Sequence, residues 1–421
     1  MDKFIVEGGH KLSGNVTISG AKNAALAIIP SVLLAQGTFR FSNIPNIRDI
    51  WTLSRLLHSM GIHSELNNDE LFVDSTGINS TEAPYEHVKK MRASINVLGP
   101  LVARHGHAKV SLPGGCSFGP RPVDLHLKGL EKLGATITLD SGYILAESKR
   151  LQGAKFHFDI SSVGASENVI SAAVLAKGSS LLTNVAVEPE VTALCKLLVK
   201  MGAKINGIGT TTLEIEGVDT LHAVDEVNIP DRIEAATFLI IGAMTKSTIT
   251  VEKTNAYHLT AVIQALEESG AEVDVTGENI TISMDKAPEP VNVATAVYPG
   301  FPTDVQAQWA AYMMMTQHGN SRVTDNIYKS RFLYVPELHR LGADIEVIDN
   351  TAIINSGATL KAATVMSSDL RASASLILAA LVAEGKTEIL RVYHLDRGYE
   401  NLEKKLSNLG ASVKRIKTEE Y

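Results

Sequence analysis

The sequence predicts an α/β protein built from one supersecondary unit used six times, three units to a domain. Three observations carry this reading. A glycine that closes an apolar helix and opens a strand recurs at Gly61, Gly134, Gly202, Gly270, Gly342 and Gly410, with successive members 68 to 73 residues apart. Each unit has an earlier helical segment rich in Ala, Ser and Leu. The first residues read as two short strands, whereas the sixth unit stops at ASVKRIKTEEY without its last strand. Self-similarity at a fixed period is the signature of a repeated unit that buries its apolar face against its neighbours.

At the N-terminus, FIVEGGHKLSGNVTISG alternates apolar and polar residues around a glycine turn. FIVEGG is expected to supply the strand that the sixth unit lacks. The domains are then 22–229 and 1–21 plus 230–421, with hinges at about 21–22 and 229–230 and the active site in the cleft between them. The first helices of the units are KNAALAIIPSVLLA from Lys22, RASINVLGPLVARHG from Arg92, VGASENVISAAVLAKG from Val163, DRIEAATFLIIGAM from Asp231, TDVQAQWAAYMMMTQHG from Thr303 and DLRASASLILAALVAEG from Asp369. They are apolar on more than one face, which predicts burial. Several open with a cation, against the preference for acids at the positive end of a helix. A cation there suits the binding of an anion.

The second helix of each unit ends at the repeated glycine, because a residue in the left-handed conformation terminates a helix and only Gly enters it cheaply. The β-branched residues that follow start a strand. Unit two is about four residues longer than its siblings, and the surplus lies in SLPGGCSFGPRPVDLH, residues 111–126. Its Pro and Gly content predicts a loop, and insertions in repeats tend to fall on the working face. Cys116 sits at its tip with Arg121 five residues on. A thiol beside fixed cations has a lowered pKa and becomes reactive. Cys195, on the apolar stripe of EVTALCKLLVKMG, reads as core.

Composition sets the bounds. A chain of 421 residues with 45 % hydrophobic content suffices for two cores. Net charge −7 with no basic stripe disfavours nucleic acid. AALAIIPSVLLA and ASLILAALVA are too short to span a bilayer, and no secretory signal is visible, so no membrane partner is expected. Two cysteines in different surroundings favour a reducing, cytoplasmic setting over a disulfide scaffold. No Cys/His spacing fits a metal site, and no cofactor is expected.

PGGCSFGPRPVDLHLKGLEKLGA, SGAKNAAL, MRASINVLGPLVAR, FPTDVQAQ, SSDLRASASL and YHLDRGYENLEKKL together resemble the enolpyruvyl transferase superfamily over the whole chain, in its branch that uses UDP-N-acetylglucosamine. The resemblance implies the inside-out α/β barrel, two domains each of three βαβαββ repeats. It also implies the activity: enolpyruvate passes from phosphoenolpyruvate to the 3′-hydroxyl of UDP-N-acetylglucosamine and phosphate is released, the first committed step of peptidoglycan synthesis. By resemblance Lys22, Asn23, Arg121, Arg331, Arg371 and Arg397 serve phosphoenolpyruvate. Arg92, Arg121, Pro122, Val123, Asp124, Leu125, Ser161, Ser162, Val163, Gly164, Asp304 and Ile327 serve the sugar nucleotide. Catalysis falls to Cys116 as proton donor and fosfomycin target, Asp304 as acceptor of the hydroxyl proton, Lys22 and Arg397, with Asp369 in support. Such a set makes chemical sense, since Arg grips planar and tetrahedral anions bidentately and Lys acts as a point charge.

Four positions depart from the family pattern: Lys329-Ser330 stands where Glu-Asn is usual before Arg331, Asn96 where an apolar residue is common, and Ile160 where a cation is frequent. They leave room for another uridine nucleotide as acceptor, or for a catalytically silent sugar-nucleotide-binding paralogue. Oligomeric state stays open, a monomer being compatible with the sequence.

Overall fold

The structure, a computed structural model, describes residues 2–89, 91–112 and 123–417. They form two compact units, one of residues 2–19 and 230–417, the other of residues 20–112 and 123–229. Each unit holds three four-stranded sheets around its own hydrophobic core.

All six sheets share one plan. A short strand runs parallel to the strand that follows the buried helix, and this in turn pairs antiparallel with the inner of two further antiparallel strands, which form a hairpin in five of the six sheets. In one sheet, for example, Lys155–His157 runs parallel to Ser179–Thr183, which pairs with Thr212–Glu216, which pairs with Lys204–Asn206. A parallel pair requires a crossover, and the buried helix Val163–Ala173 provides it. The outer helix Pro189–Lys200 then leads into the hairpin. This is the βαβαββ unit.

In each unit a strand from the end of one segment completes a sheet begun elsewhere in that unit. In residues 20–229, the last strand Asp225–Val227 runs parallel to the first, Thr38–Ser42. In the other unit, Asp2–Glu7 lies between Lys386–Leu390 and Ser412–Lys417, antiparallel to both, and Ser13–Thr17 runs parallel to Thr248–Glu252. Strands alternate buried and exposed residues, so each sheet has one wet face. The helices they cover are apolar all round: every residue of Arg232–Met244 except Arg232 is buried, as is every residue of Leu370–Val382 except Val382. Helices lie inside and sheets outside, the inverse of the usual α/β arrangement.

The six repeated glycines all have positive φ, from 85° at Gly61 to 111° at Gly202. Three of the six buried helices depart from the sequence expectation of a single α-helix. Pro30 removes a backbone donor, and Lys22–Ile28 passes into the 3₁₀ segment Ile29–Leu34. Leu98–His105 is preceded by the 3₁₀ turn Arg92–Val97, and Gln306–Met313 by Thr303–Val305. Tightened turns of this kind are common at helix ends. Close packing also constrains sequence: a Cβ on Gly99 would lie 2.2 Å from the Asn168 carbonyl oxygen. Cys195 is buried, and burial pushes its thiol up to about 12, so it is an inert core residue.

Candidate active site

In the unit of residues 2–19 and 230–417, the polar centre is built at the starts of buried helices. Thr303 and Asp304 open the fifth, and Asp369 caps the sixth. The Asp369 Oδ1 accepts hydrogen bonds from the N–H groups of Arg371 (2.9 Å) and Ala372 (3.0 Å), satisfying donors that a helix start leaves open. The cap holds Arg371 at the helix mouth. Its Nη2 donates to Asp304 Oδ2 at 2.9 Å, while Arg331 Nη1 donates to Asp304 Oδ1 at 2.8 Å. Asp304 therefore does not cap its own helix; it bridges two guanidiniums, one on each carboxylate oxygen.

Both arginines are nearly buried, and the Asp304 side chain is 24 % exposed. Burial opposes ionisation of Asp304, but the charges of Arg371 and Arg331 outweigh it and hold the carboxyl well below its ordinary value. Burial likewise opposes the Arg371 charge, and Asp304 more than offsets it. Asp304 is thus an anion whose basicity is suppressed by its partners. An anion that drew the arginines away would restore it.

Behind this centre stands Tyr399, which sequence reasoning left without a role. Its hydroxyl lies 2.8 Å from Thr237 Oγ1 and accepts from Gln308 Nε2 at 3.3 Å, with Arg371 over its ring at 5.7 Å. Gln308 also donates to the Asp304 carbonyl at 3.0 Å. The available signal was a tyrosine within YENLEKKL, since a buried Tyr needs a partner for its hydroxyl. Arg397 ends the 3₁₀ turn Val392–Arg397, which packs against helix Leu370–Val382. Ile327 follows Asp325, whose Oδ1 accepts the Ile327 N–H at 2.9 Å. The structure brings Asp304, Arg331 and Arg371 into direct contact and sets Arg397, Ile327 and Asp369 on adjoining elements.

The other unit repeats the arrangement with different groups. Lys22 begins the first buried helix, and its Nζ lies 2.9 Å from Asp49 Oδ2; Asn23 follows it. Asp49, in NIRDIWTL, was also passed over in the sequence; an acid in the first turn of a helix is ordinary and gives no signal. The helix from Lys22 packs against the turn Arg92–Val97, which packs against Val163–Ala173. Ser162 caps that helix, accepting from the Ala165 N–H at 3.4 Å, so Ser161, Ser162, Val163 and Gly164 sit half-buried at its positive end. Val123, Asp124 and Leu125 start helix Asp124–Lys132, which lies against the same helix. Ile160 is 69 % exposed.

Two buried titratable groups hold this unit's helices in register. His126 is buried; burial and then the Arg92 charge lower its pKa to about 3. It is neutral, and its Nδ1 lies 3.0 Å from Asn168 Nδ2. Burial pushes Glu167 up to about 8, against the opposing hydrogen bond from Asn96 Nδ2 at 2.6 Å. The family departure at Asn96 thus serves a buried acid. Cys116, Arg121 and Pro122 lie outside the described residues. Among the described residues no cluster of His, Cys, Asp and Glu is placed to hold a metal, and no helix is long and apolar enough to cross a membrane.

Residues 6–406 match the family model of EPSP synthase (3-phosphoshikimate 1-carboxyvinyltransferase). The UDP-N-acetylglucosamine 1-carboxyvinyltransferases of Chlorobium chlorochromatii and Chloroherpeton thalassium are each 54 % identical over 425 residues, covering all of this chain and 100 % and 99 % of theirs. The enolpyruvyl transferase NikO from Streptomyces tendae superposes with TM-score 0.90 at 25 % identity, covering 98 % of both chains. EPSP synthase from Acinetobacter baumannii shares the fold, with TM-score 0.75 at 17 % identity over 99 % of this chain and all of that one. Matched end to end in sequence and in fold, the chain belongs to the EPSP synthase family of enolpyruvyl transferases.

Proposed function

We infer that this protein transfers enolpyruvate from phosphoenolpyruvate to the 3′-hydroxyl of UDP-N-acetylglucosamine and releases phosphate, in the cytoplasm, at the head of peptidoglycan synthesis. The observation that carries the choice of acceptor is the 54 % identity, over full length, to two proteins named for that reaction. The family departures at Lys329, Ser330 and Ile160 are then tolerated variation.

The mechanism follows from the groups present. The arginines Arg331, Arg371 and Arg397, with Lys22 and Arg121, bind the phosphate and carboxylate of phosphoenolpyruvate. Arg92, Asn23, the 121–125 segment, Ser161–Gly164 and Ile327 bind the sugar nucleotide. Asp304 takes the 3′-hydroxyl proton as that oxygen attacks the carbon bearing the phosphate, and Cys116 gives a proton to the neighbouring methylene. The tetrahedral intermediate then loses phosphate and a methyl proton, which restores the double bond on the sugar ether. Binding of the substrate anion competes with Asp304 for Arg331 and Arg371, so the base gains strength as the donor arrives.

Phosphate release from phosphoenolpyruvate, measured with UDP-N-acetylglucosamine, uridine monophosphate or shikimate 3-phosphate, tests the reading. Release with the sugar nucleotide alone is expected. Release with the monophosphate alone moves the protein to another uridine acceptor, and release with none marks a silent paralogue.

A further inference from the structure

Asp325 is fully buried, and its carboxylate accepts four hydrogen bonds. Oδ1 takes the Thr295 hydroxyl at 2.7 Å, the Ile327 N–H at 2.9 Å and the Tyr328 N–H at 2.8 Å. Oδ2 takes the Thr303 hydroxyl at 2.7 Å. The backbone of Asp325 is itself pinned, its N–H on the Asn350 carbonyl at 2.8 Å and its carbonyl under Asn350 Nδ2 at 3.1 Å. Neither the family motifs nor the mechanism above uses this residue.

Donor and acceptor rules give the cluster a direction. A carboxylate only accepts, so the single Thr303 proton is committed to Asp325. The Thr303 oxygen then faces Arg331 Nη1, 3.1 Å away, with lone pairs, and Arg331 only donates. That same Nη1 reaches Asp304 Oδ1 at 2.8 Å. We propose that Asp325 is a positioning residue for enolpyruvyl transfer: through the Thr303 hydroxyl it sets the guanidinium of Arg331 against Asp304, and through Oδ1 it sets the backbone at Ile327. One carboxylate thereby fixes a donor-side cation, the acceptor-side base and an acceptor contact. A turn former alone would need only the bonds to the N–H groups of Ile327 and Tyr328.

Asp325→Asn separates these roles. Oδ1, held by three donors, keeps the turn, and the new Nδ2 faces Thr303. Because Nδ2 only donates, the hydroxyl proton turns towards Arg331, and donor then opposes donor. Arg331 draws off Asp304, whose carboxyl loses one of its two cations.

The proposal rests on the enolpyruvyl transfer reading. The test is kcat/KM against pH, which reports the groups of the free enzyme, for wild type, Asp325→Asn, Thr303→Val and Thr303→Ser. Expected are an acid limb raised by about 1 pH unit in Asp325→Asn and Thr303→Val, the lower end of the range for loss of a neighbouring opposite charge, and a wild-type limb in Thr303→Ser, which keeps the hydroxyl. An unmoved limb in Asp325→Asn with a lowered Tm overturns it, leaving Asp325 a structural turn residue; if that variant does not fold, Thr303→Val decides alone. A second measurement needs no turnover. Thermal melts of ligand-free Asp325→Asn, Asp304→Asn and the double variant should be non-additive, since the two carboxylates share Arg331. Additive melts overturn the proposal, whereas a wild type that releases no phosphate overturns only the reading on which it rests.

Discussion

At the scale of single residues, the central fact is that Asp304 and its arginines neutralise one another. Under the proposed mechanism, replacing Asp304 by Asn removes the proton acceptor and also the anion with which phosphoenolpyruvate competes. The variant should turn over about 100-fold or more slowly, the usual contribution of a positioned general base, yet bind phosphoenolpyruvate more tightly. Calorimetric titration beside steady-state kinetics checks both halves; weaker binding with kcat within tenfold of wild type contradicts the assignment. The three residues were chosen by motif resemblance, but their mutual contact was illegible in the sequence. Positions 304 and 331 lie 27 residues apart in the fifth unit and 371 lies on the sixth, and only tertiary structure brings both guanidiniums within 3 Å of the Asp304 carboxylate. Asp325 was hidden for a different reason. An Asp followed by Asn reads as a turn, and nothing local says that its second oxygen reaches Thr303.

At the scale of elements, the sequence was most informative where backbone conformation leaves one residue type little competition. The six glycines that close the outer helices could be read directly, and each has positive φ in the structure. Buried helices were legible from their lack of a polar face, but not their internal irregularity. The buried acid on one such helix has a measurable consequence. Glu167 titrates at about 8 in the folded protein, far above an unfolded glutamate. Between those values the folded state binds more protons than the unfolded, so stability is full at low pH and declines as pH rises through 8. His126, depressed to about 3, works in the opposite sense, but only below about pH 6.5, where an unfolded His is protonated. From about pH 6.5 to 8 Glu167 acts without that opposition. Tm should therefore fall across this window in wild type and fall less in Glu167→Gln. Equal slopes for the two proteins would show that Glu167 is not the group responsible.

At the scale of the molecule, the chain reaches its three-plus-three architecture by returning its beginning to its end. The strand Asp2–Glu7 is internal to its sheet, paired on both sides by strands from the last unit. The segment after it is tied as firmly: the Ser19 N–H donates to Glu234 Oε2 at 2.7 Å, and Lys405 Nζ reaches both Ser19 Oγ at 2.7 Å and Glu234 Oε1 at 2.6 Å. Sequence reading reached this strand by noticing a unit one strand short, an inference from periodicity that no local propensity supplies. Phe4 tests its weight. The side chain is fully buried in the core of residues 4–18 and 233–413, with the Arg415 guanidinium 5.0 Å over its ring. Phe4→Ala leaves a cavity at the strand that completes this sheet, and should cost about 3–5 kcal/mol. The core of residues 25–221 contains no residue of that strand. Limited proteolysis read by mass spectrometry should therefore place the first new cleavages of Phe4→Ala within 230–417. First cleavages within 20–229 would mean that the N-terminal strand stabilises the molecule by some route other than the sheet it completes.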